Sequence, residues 1–166
     1  MIRASLFTLL ILVFCSYYPV DYREVVGYSP ILMEREELDN SIKFTGPREL
    51  EEPGKIYVYG DYVFINDRYR GFHVFDNQNP ADPVNLGFVK VPGSLDIAVK
   101  EGVLYVDNAT DLVAIDYNDM QNPVVTERLT NVFPETYPPG YTWMPSQFAE
   151  SNRPVNTVII GWIKTE

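Results

Sequence analysis

The sequence has little of what disulfides, metal centres and nucleic-acid sites are built from. It contains one cysteine, Cys15, and one histidine, His73. A single cysteine excludes an intrachain disulfide, and the two residues together are too few for a Cys/His zinc site. Lys and Arg total 13 against 23 Asp and Glu, and no cationic run follows Arg3, so a phosphate backbone would be repelled. We therefore expect no nucleic-acid partner, no bound metal and no cofactor.

Tyrosine, in contrast, is abundant. The chain has 12 Tyr against 2 Trp, and aromatic residues make up 14% of it. Planar side chains of this kind cover the pleated face of a sheet, so the composition favours strands. The 13 prolines and 10 glycines are spread along the 166 residues, as many short turns require, and do not form a low-complexity segment. The length fits one domain or a part of one, and the composition predicts an all-β protein.

The beginning of the chain is typical of an export signal. Arg3 supplies positive charge, and residues 6–14 form a nearly continuous apolar run that is too short to span a membrane stably. The run ends in Leu-Val-Phe-Cys, which resembles a bacterial lipobox, although Phe14 stands where a small residue is usual. Residues 1–15 are therefore predicted to be a signal peptide, with Cys15 as the lipid attachment site of an exported outer-membrane lipoprotein. The alternative is an ordinary signal peptide, or an uncleaved one, with an incidental cysteine.

Residues 16–53 are predicted to connect this signal to the folded domain. Residues 28–33 favour one strand, and a helix of about two turns follows, with Leu38 and Ile42 four apart on one face. The charged residues around Arg35, at the start of this helix, are interpreted as a solvated face and not as a site.

Two copies of a strand unit follow, at residues 54–93 and 94–134. Equivalent positions recur at an offset of 41 and, after a one-residue deletion, of 40, as in Ile56 with Ile97, Val63 with Leu104, Asp76 with Asp116 and Pro83 with Pro123. A spacing of roughly 40–45 residues with four strands per unit is typical of a propeller blade. Apolar residues alternate with a period of two in both copies, which favours strands over helices.

Each copy divides into four predicted strands, separated by turn-forming residues. The strands are residues 56–59, 62–66, 71–76 and 84–91 in the first copy, and 95–99, 103–107, 112–116 and 124–129 in the second. Gly60-Asp61 and Glu101-Gly102 form the tight turns between the first two strands of each copy. The predicted fold is all-β, with two propeller-type blades of antiparallel strands, forming an incomplete β-propeller, and a short N-terminal helix.

The third strand of each copy carries the most distinctive motif. Residues 112–116 read Leu-Val-Ala-Ile-Asp, which agrees with LVIVD at every position but the third, and residues 72–76 are a looser copy. A proline stands seven residues after the final aspartate in both copies. The chain thus resembles the LVIVD-repeat family of β-propeller-like proteins over residues 54–134, and its leading segment resembles exported lipoprotein-type members from Bacteroidetes-like bacteria. The resemblance implies an extracytoplasmic protein without an established activity.

Two blades alone leave open faces, because repeats bury their apolar surfaces against neighbours. A closed propeller has about four to eight blades. We expect the remaining surface to be covered by further blades of a longer protein, by the tail, by a partner, or by self-association through the open blade edges. Residues 135–166, an aromatic and proline-rich loop followed by a strand from Thr157, are predicted to begin a truncated blade.

Candidate catalytic and metal sites in the sequence have simpler structural interpretations. Asp76 and Asp116 lack the spacing of an EF-hand and are interpreted as turn-forming residues and not as calcium ligands. His73 lies in a strand and is interpreted as a half-exposed strand residue and not as a general base. Further carboxylates, Asp67 and Asp111 among them, are not placed by the sequence at a separation that would serve acid/base chemistry. No residue is therefore assigned a catalytic role.

The loop of residues 134–145 is the best candidate for a binding surface. Tyr137, Tyr141 and Trp143 offer large rigid faces on a proline-stiffened segment and could contact a sugar or a peptide. The alternative is a strap over a propeller edge. We expect a non-enzymatic binding or structural module at the cell envelope, with a protein or glycan partner and a membrane contact through a lipid anchor. The rival interpretations are an enzyme acting on extracellular polymers whose site needs further blades, and a non-functional remnant.

Overall fold

The computed structural model describes residues 27–119 and 122–165. Its elements are β1 (Tyr28–Glu34), α1 (Arg35–Asp39), β2 (Lys43–Thr45), β3 (Pro53–Tyr59), β4 (Tyr62–Asp67), β5 (Gly71–Asp76), β6 (Val84–Lys90), β7 (Ile97–Lys100), β8 (Val103–Asn108), β9 (Asp111–Asp116), β10 (Val124–Leu129), two 3-10 turns (Ser146–Phe148 and Glu150–Asn152) and β11 (Thr157–Lys164). No helix in this part of the chain is long and apolar enough to cross a lipid bilayer.

The strands form three antiparallel sheets. The first blade has the order β2-β6-β5-β4-β3, the second has β10-β9-β8-β7, and β1 pairs with β11 in a separate two-stranded sheet, called here the closing sheet. The predicted all-β fold with two blades of antiparallel strands is confirmed. The predicted strands at residues 71–76 and 124–129 agree with β5 and β10 at both ends. The blades do not close into a ring within the described residues.

Tight turns join the first two strands of each blade, as the sequence predicts. Gly60 has a φ of 57° in the turn between β3 and β4, and Glu101 and Gly102 have φ values of 50° and 83° in the turn between β7 and β8. Such positive angles match the right-handed twist of a two-residue hairpin. The local sequence therefore sets the hairpin geometry in both blades.

The main core lies between the inner faces of the two blades. Phe64, Phe72 and Val74 of the first blade are buried with Leu104 and Ile115 of the second. The rings of Phe64 and Phe72 meet edge to face at 6.1 Å. Each fully buried side chain of this kind contributes about 1.5–3 kcal/mol of transfer free energy, so the inner faces hold the two blades together.

The connector adds two strands that have partners far along the chain. Lys43–Thr45, a strand that was not predicted, pairs with β6 and extends the first blade to five strands. The strand predicted at residues 28–33 is confirmed as β1, and its partner β11 lies more than 120 residues away. The terminal strand predicted from Thr157 is thus present, and it pairs with β1 and not with a strand of either blade.

The closing sheet lies over the loops that join the second and third strands of the blades. Tyr69, with a φ of 65°, and Ala109, with a φ of 58°, occupy equivalent positions in those loops. Ala109 packs with Leu38 and Val158 in a second, smaller core. A Cβ added at Gly161 of β11 would lie 2.9 Å from the ring of Tyr69, so a glycine permits this close approach.

Three expectations about single residues are wrong. The helix has only five residues, so Ile42 lies outside it and packs against the core between the blades, whereas Leu38 packs in the smaller core. Arg35 is not simply solvated, because its guanidinium reaches the buried carboxylate of Asp111. His73 is wholly buried and not half-exposed. The connector folds back over the outer face of the first blade, which strand periodicity does not reveal.

The outer faces of both blades keep exposed apolar side chains. Ile56 and Val58 are each 64% exposed on the first blade, and Tyr105 and Leu129 are exposed on the second. A blade in a propeller covers such faces with its neighbours. Self-association through the open blade edges stays a prediction.

Candidate binding site

The aromatic loop is the part of the predicted site that the structure describes. The segment runs between β10 and β11 and contains the two 3-10 turns. Tyr137 and Trp143 are each 43% exposed. The rings of Tyr141 and Trp143 meet edge to face at 5.9 Å and 81°, whereas Tyr137 belongs to no described ring pair. The structure thus brings two of the three predicted contact residues together.

Buried contacts at the base of this loop fix its shape. Arg153 donates two hydrogen bonds to the carboxylate of Glu135, at 2.8 and 3.0 Å, and its side chain is only 4% exposed. The indole of Trp162 on β11 donates to the carbonyl oxygen of Thr136 at 3.1 Å and packs edge to face on Phe148. A bidentate Arg–carboxylate pair of this kind restricts both ends of the loop geometrically. The Tyr141–Trp143 pair therefore stands on a rigid base.

Asp111 is the centre of a buried charge network at the start of β9. Its carboxylate accepts hydrogen bonds from Arg35 of α1, from Arg128 of β10 at 2.7 Å and from the backbone N–H of Asn131 at 3.1 Å. Burial alone would raise the pKa of Asp111, but the bonds from the two arginines lower it below the usual aspartate range. The network joins the connector to the second blade, because the carboxylate of Asp111 bonds to side chains of both.

Asp67 and His73 lie side by side on the outer face of the first blade. The carboxylate of Asp67 accepts hydrogen bonds from the backbone N–H of Glu52, at 3.0 Å, and from Arg70, at 3.3 Å. Nε2 of His73 lies 3.5 Å from Asp67, and the imidazole packs on Phe88 at 4.9 Å. Burial lowers the pKa of His73, and the nearby Asp67 only partly opposes this. A wholly buried imidazole has no access to substrate, so this pair is not a catalytic one.

Other carboxylates of the blades organise loops. Asp107 accepts hydrogen bonds from the backbone N–H groups of Leu95 and Asp96, and burial nevertheless raises its pKa. Asp76 and Asp116 each accept a hydrogen bond at 2.9 Å from the N–H two residues further on. The interpretation of the last two as turn-forming residues is confirmed. Residues 27–119 and 122–165 contain no group of three or more His, Cys, Asp or Glu side chains that could hold a metal ion.

Cys15, the predicted lipid attachment site, lies outside the described residues. Its lipidation therefore stays a prediction.

The loop contacts were not foreseeable from sequence patterns. Glu135 and Arg153 are 18 residues apart, and Arg35 and Asp111 are 76 apart. The sequence contains no motif that links these positions. A buried arginine gives no signal different from that of an exposed one, so only the fold identifies such partners.

Comparison with known proteins supports the repeat assignment. Residues 53–91 match the family model described as LVIVD repeat. The matched segment contains β3 to β6 of the first blade, and β7 to β10 repeat the same antiparallel order in the second. No curated protein and no solved structure matches the chain. The antiparallel blades and the match over residues 53–91 support a β-propeller-like repeat protein with an LVIVD repeat in its first blade.

Proposed function

We propose that this protein is a non-enzymatic binding module of the bacterial cell envelope. It is exported, is held at a membrane by a lipid on Cys15, and contacts its partner through the aromatic loop. The observation that carries the proposal is the Tyr141–Trp143 ring pair, in which Trp143 is exposed and Tyr141 is partly buried, on a loop fastened by Glu135 and Arg153. Rigid aromatic faces bind at a small cost in conformational entropy.

A glycan suits this surface better than a protein does. A stable protein interface buries roughly 800 Å² on each partner and 20–30 residues a side. The aromatic loop offers a much smaller surface, with two rings set at 81° to each other. Such rings stack on the faces of one or two sugar units. We therefore name a glycan of the cell surface or its surroundings as the partner.

The binding half of the proposal is tested on a glycan array with the purified protein. The double variant Tyr141→Ala/Trp143→Ala is compared with Tyr105→Ala, which removes an aromatic side chain that is 37% exposed on the second blade. Loss of each stacked ring costs about 1 kcal/mol, so the double variant should bind roughly 10- to 30-fold more weakly while the control binds normally. Equal binding by both variants, or capture of proteins with no glycan bound, would count against a glycan partner. Turnover of any bound glycan would favour the enzymatic alternative.

The lipid anchor is tested separately in a bacterial host. Radiolabelled palmitate should label the wild-type protein and should not label the Cys15→Ala variant. No label on the wild type, or equal label on both, would remove the lipid anchor from the proposal and leave the binding surface unaffected.

A further inference from the structure

A second site lies away from the aromatic loop, in a cavity of about 570 Å³ between the closing sheet and the first blade. This volume falls within the roughly 300–1,000 Å³ of typical small-molecule sites. Strands β1 and β11 form one wall, and the loop between β4 and β5 forms the other with the end of β6 and the connector. The cavity therefore depends on the pairing of β1 with β11, not on either blade alone.

The walls of the cavity are rigidly built around Tyr69. The backbone N–H of Tyr69 donates to the carbonyl of Ser94 at 2.7 Å, and its own carbonyl accepts from the N–H of Gly93 at 2.8 Å. Its ring lies against Gly161 of β11, and the left-handed backbone conformation of Tyr69 places the ring there. The space is thus preformed.

Positive charge dominates the lining of the cavity. One carboxylate, that of Glu52, faces five cationic side chains, which are Arg48, Arg68, Arg70, Lys90 and Lys164. The whole chain has a formal charge of −10, so the cationic lining is opposite in sign to the rest of the molecule. A concave site with one sign of charge concentrates ligands of the opposite sign.

Only part of this charge is neutralised by the protein. Arg48 pairs with Glu51, and Arg70 pairs with Glu51 at 3.0 Å and with Asp67 at 3.3 Å. The remaining three cations of the lining form no ion pair with any residue of the described chain, and they are Arg68, Lys90 and Lys164. The guanidinium of Arg68 lies 5.9 Å from the ring of Tyr69. Three cations without carboxylate partners therefore line one preformed space, and Lys90 also borders the neighbouring pocket that contains Glu34, Glu36 and Glu37.

The opposite part of the lining is apolar. Ile31 and Met33 of β1 and Ile160 and Trp162 of β11 line the cavity. Ile31 remains 39% exposed, and its cross-strand partner is Gly161. An apolar wall beside unpaired cations matches a ligand with a charged head and an apolar body.

We propose that this cavity binds a small organic anion with an apolar body. Arg68, Lys90 and Lys164 hold the carboxylate or phosphate head, and the body lies on Ile31 and Met33. Hydrogen bonds between such heads and Arg or Lys are charge-assisted and stronger than neutral ones. The site uses neither Tyr141 nor Trp143, although Trp162 both lines the cavity and supports the base of the aromatic loop.

The test is a calorimetric titration of the whole domain with octanoate, octyl phosphate and neutral 1-octanol. We expect at least one of the two anions to bind about tenfold or more tightly than 1-octanol, and to bind more weakly as salt is added. The affinities of the two anions tell which head the site prefers. Binding of 1-octanol as tight as that of the anions, or no binding of either anion at millimolar concentration, would overturn the proposal.

Variants locate the binding. Lys90→Gln and the exposed charge reversal Lys164→Glu should each weaken anion binding by about tenfold, whereas Lys100→Gln, an exposed lysine at the end of β7, should leave it unchanged. Lys164→Glu alters an exposed side chain and so preserves the fold, which near-UV circular dichroism verifies. Equal affinity for all three variants would refute the site. So would binding to anionic phospholipid vesicles without binding to either free anion, because that outcome indicates a membrane surface.

Discussion

Replacing Asp111 by Asn should destabilise the protein more than any other single loss of charge in the second blade. The carboxylate is fully buried, and the side chains of its partners Arg35 and Arg128 are 25% and 14% exposed. Each guanidinium also approaches the carboxylate of Asp39, at 3.2 and 4.0 Å, but that carboxylate is 45% exposed and compensates only part of the lost charge. Removing one partner of a buried ion pair lowers the free energy of unfolding by about 3–5 kcal/mol. Because Asn retains one acceptor oxygen, we expect Asp111→Asn to lower it by about 3 kcal/mol.

Urea unfolding followed by tryptophan fluorescence measures this loss. Trp162 is nearly buried in β11 and reports the closing sheet. For a domain of this size, 3 kcal/mol corresponds to a fall in melting temperature of about 6–12 °C. The matched control is Asp116→Asn at the other end of β9, where the asparagine oxygen can still accept the bond from Asn118. The control should change stability by less than about 0.5 kcal/mol.

The pH dependence of the same pair of proteins gives a second readout. The folded pKa of Asp111 lies below its usual value of 3.8, so the stability it contributes is present above pH 3.8 and is lost as the pH falls through the folded pKa. The difference in free energy of unfolding between the wild type and Asp111→Asn should become smaller as the pH falls over that acidic range. If Asp111→Asn unfolds at the same urea concentration as Asp116→Asn, the reasoning about the buried network is refuted.

Two further predictions concern the first blade. Burial lowers the folded pKa of His73 below its usual 6.5, so the unfolded chain binds a proton more readily and the free energy of unfolding should fall as the pH drops below 6.5. The variant His73→Leu should therefore flatten the plot of urea midpoint against pH over that range. An unchanged plot would assign the loss of stability to other groups. A Cβ at Gly71, where φ is 138°, would overlap the backbone oxygen of Val89 and lie 2.7 Å from the backbone nitrogen of Val91. Gly71→Ala should therefore lower the melting temperature by about 10 °C or more. The control Gly46→Ala adds a Cβ that meets nothing within 4 Å and should change the melting temperature by less than about 2 °C. Comparable melting temperatures for the two glycine variants would contradict this.

The repeats show how far local patterns reach. Apolar alternation and the turn residues Gly60-Asp61 and Glu101-Gly102 predict the strands and hairpins of both blades, because each depends on neighbours only a few residues away. The offset of 40 to 41 residues predicts that the second blade repeats the first. The sequence also singles out Tyr141 and Trp143, since proline and aromatic residues recur in one short segment, but it does not predict that their rings meet edge to face.

The fold of the connector shows where such patterns end. Sequence periodicity places His73 on a strand but does not reveal that Arg48 lies over Phe88 beside it, 4.7 Å above the ring. The three-residue strand β2 is too short to show alternation, and it becomes a strand only because β6 offers it an edge. Strand β2 of the connector therefore acquires its structure from the first blade.

The sequence by itself determined an all-β chain, two repeated units of four strands and the turns within them, because these follow from periodicity and backbone preference over a few residues. Only the tertiary structure decided the burial of His73, the contacts of Asp111 with Arg35 and Arg128, and the cavity beneath the closing sheet. Each of these joins residues that are distant in sequence, and their contacts arise from packing between sheets, for which no local pattern exists.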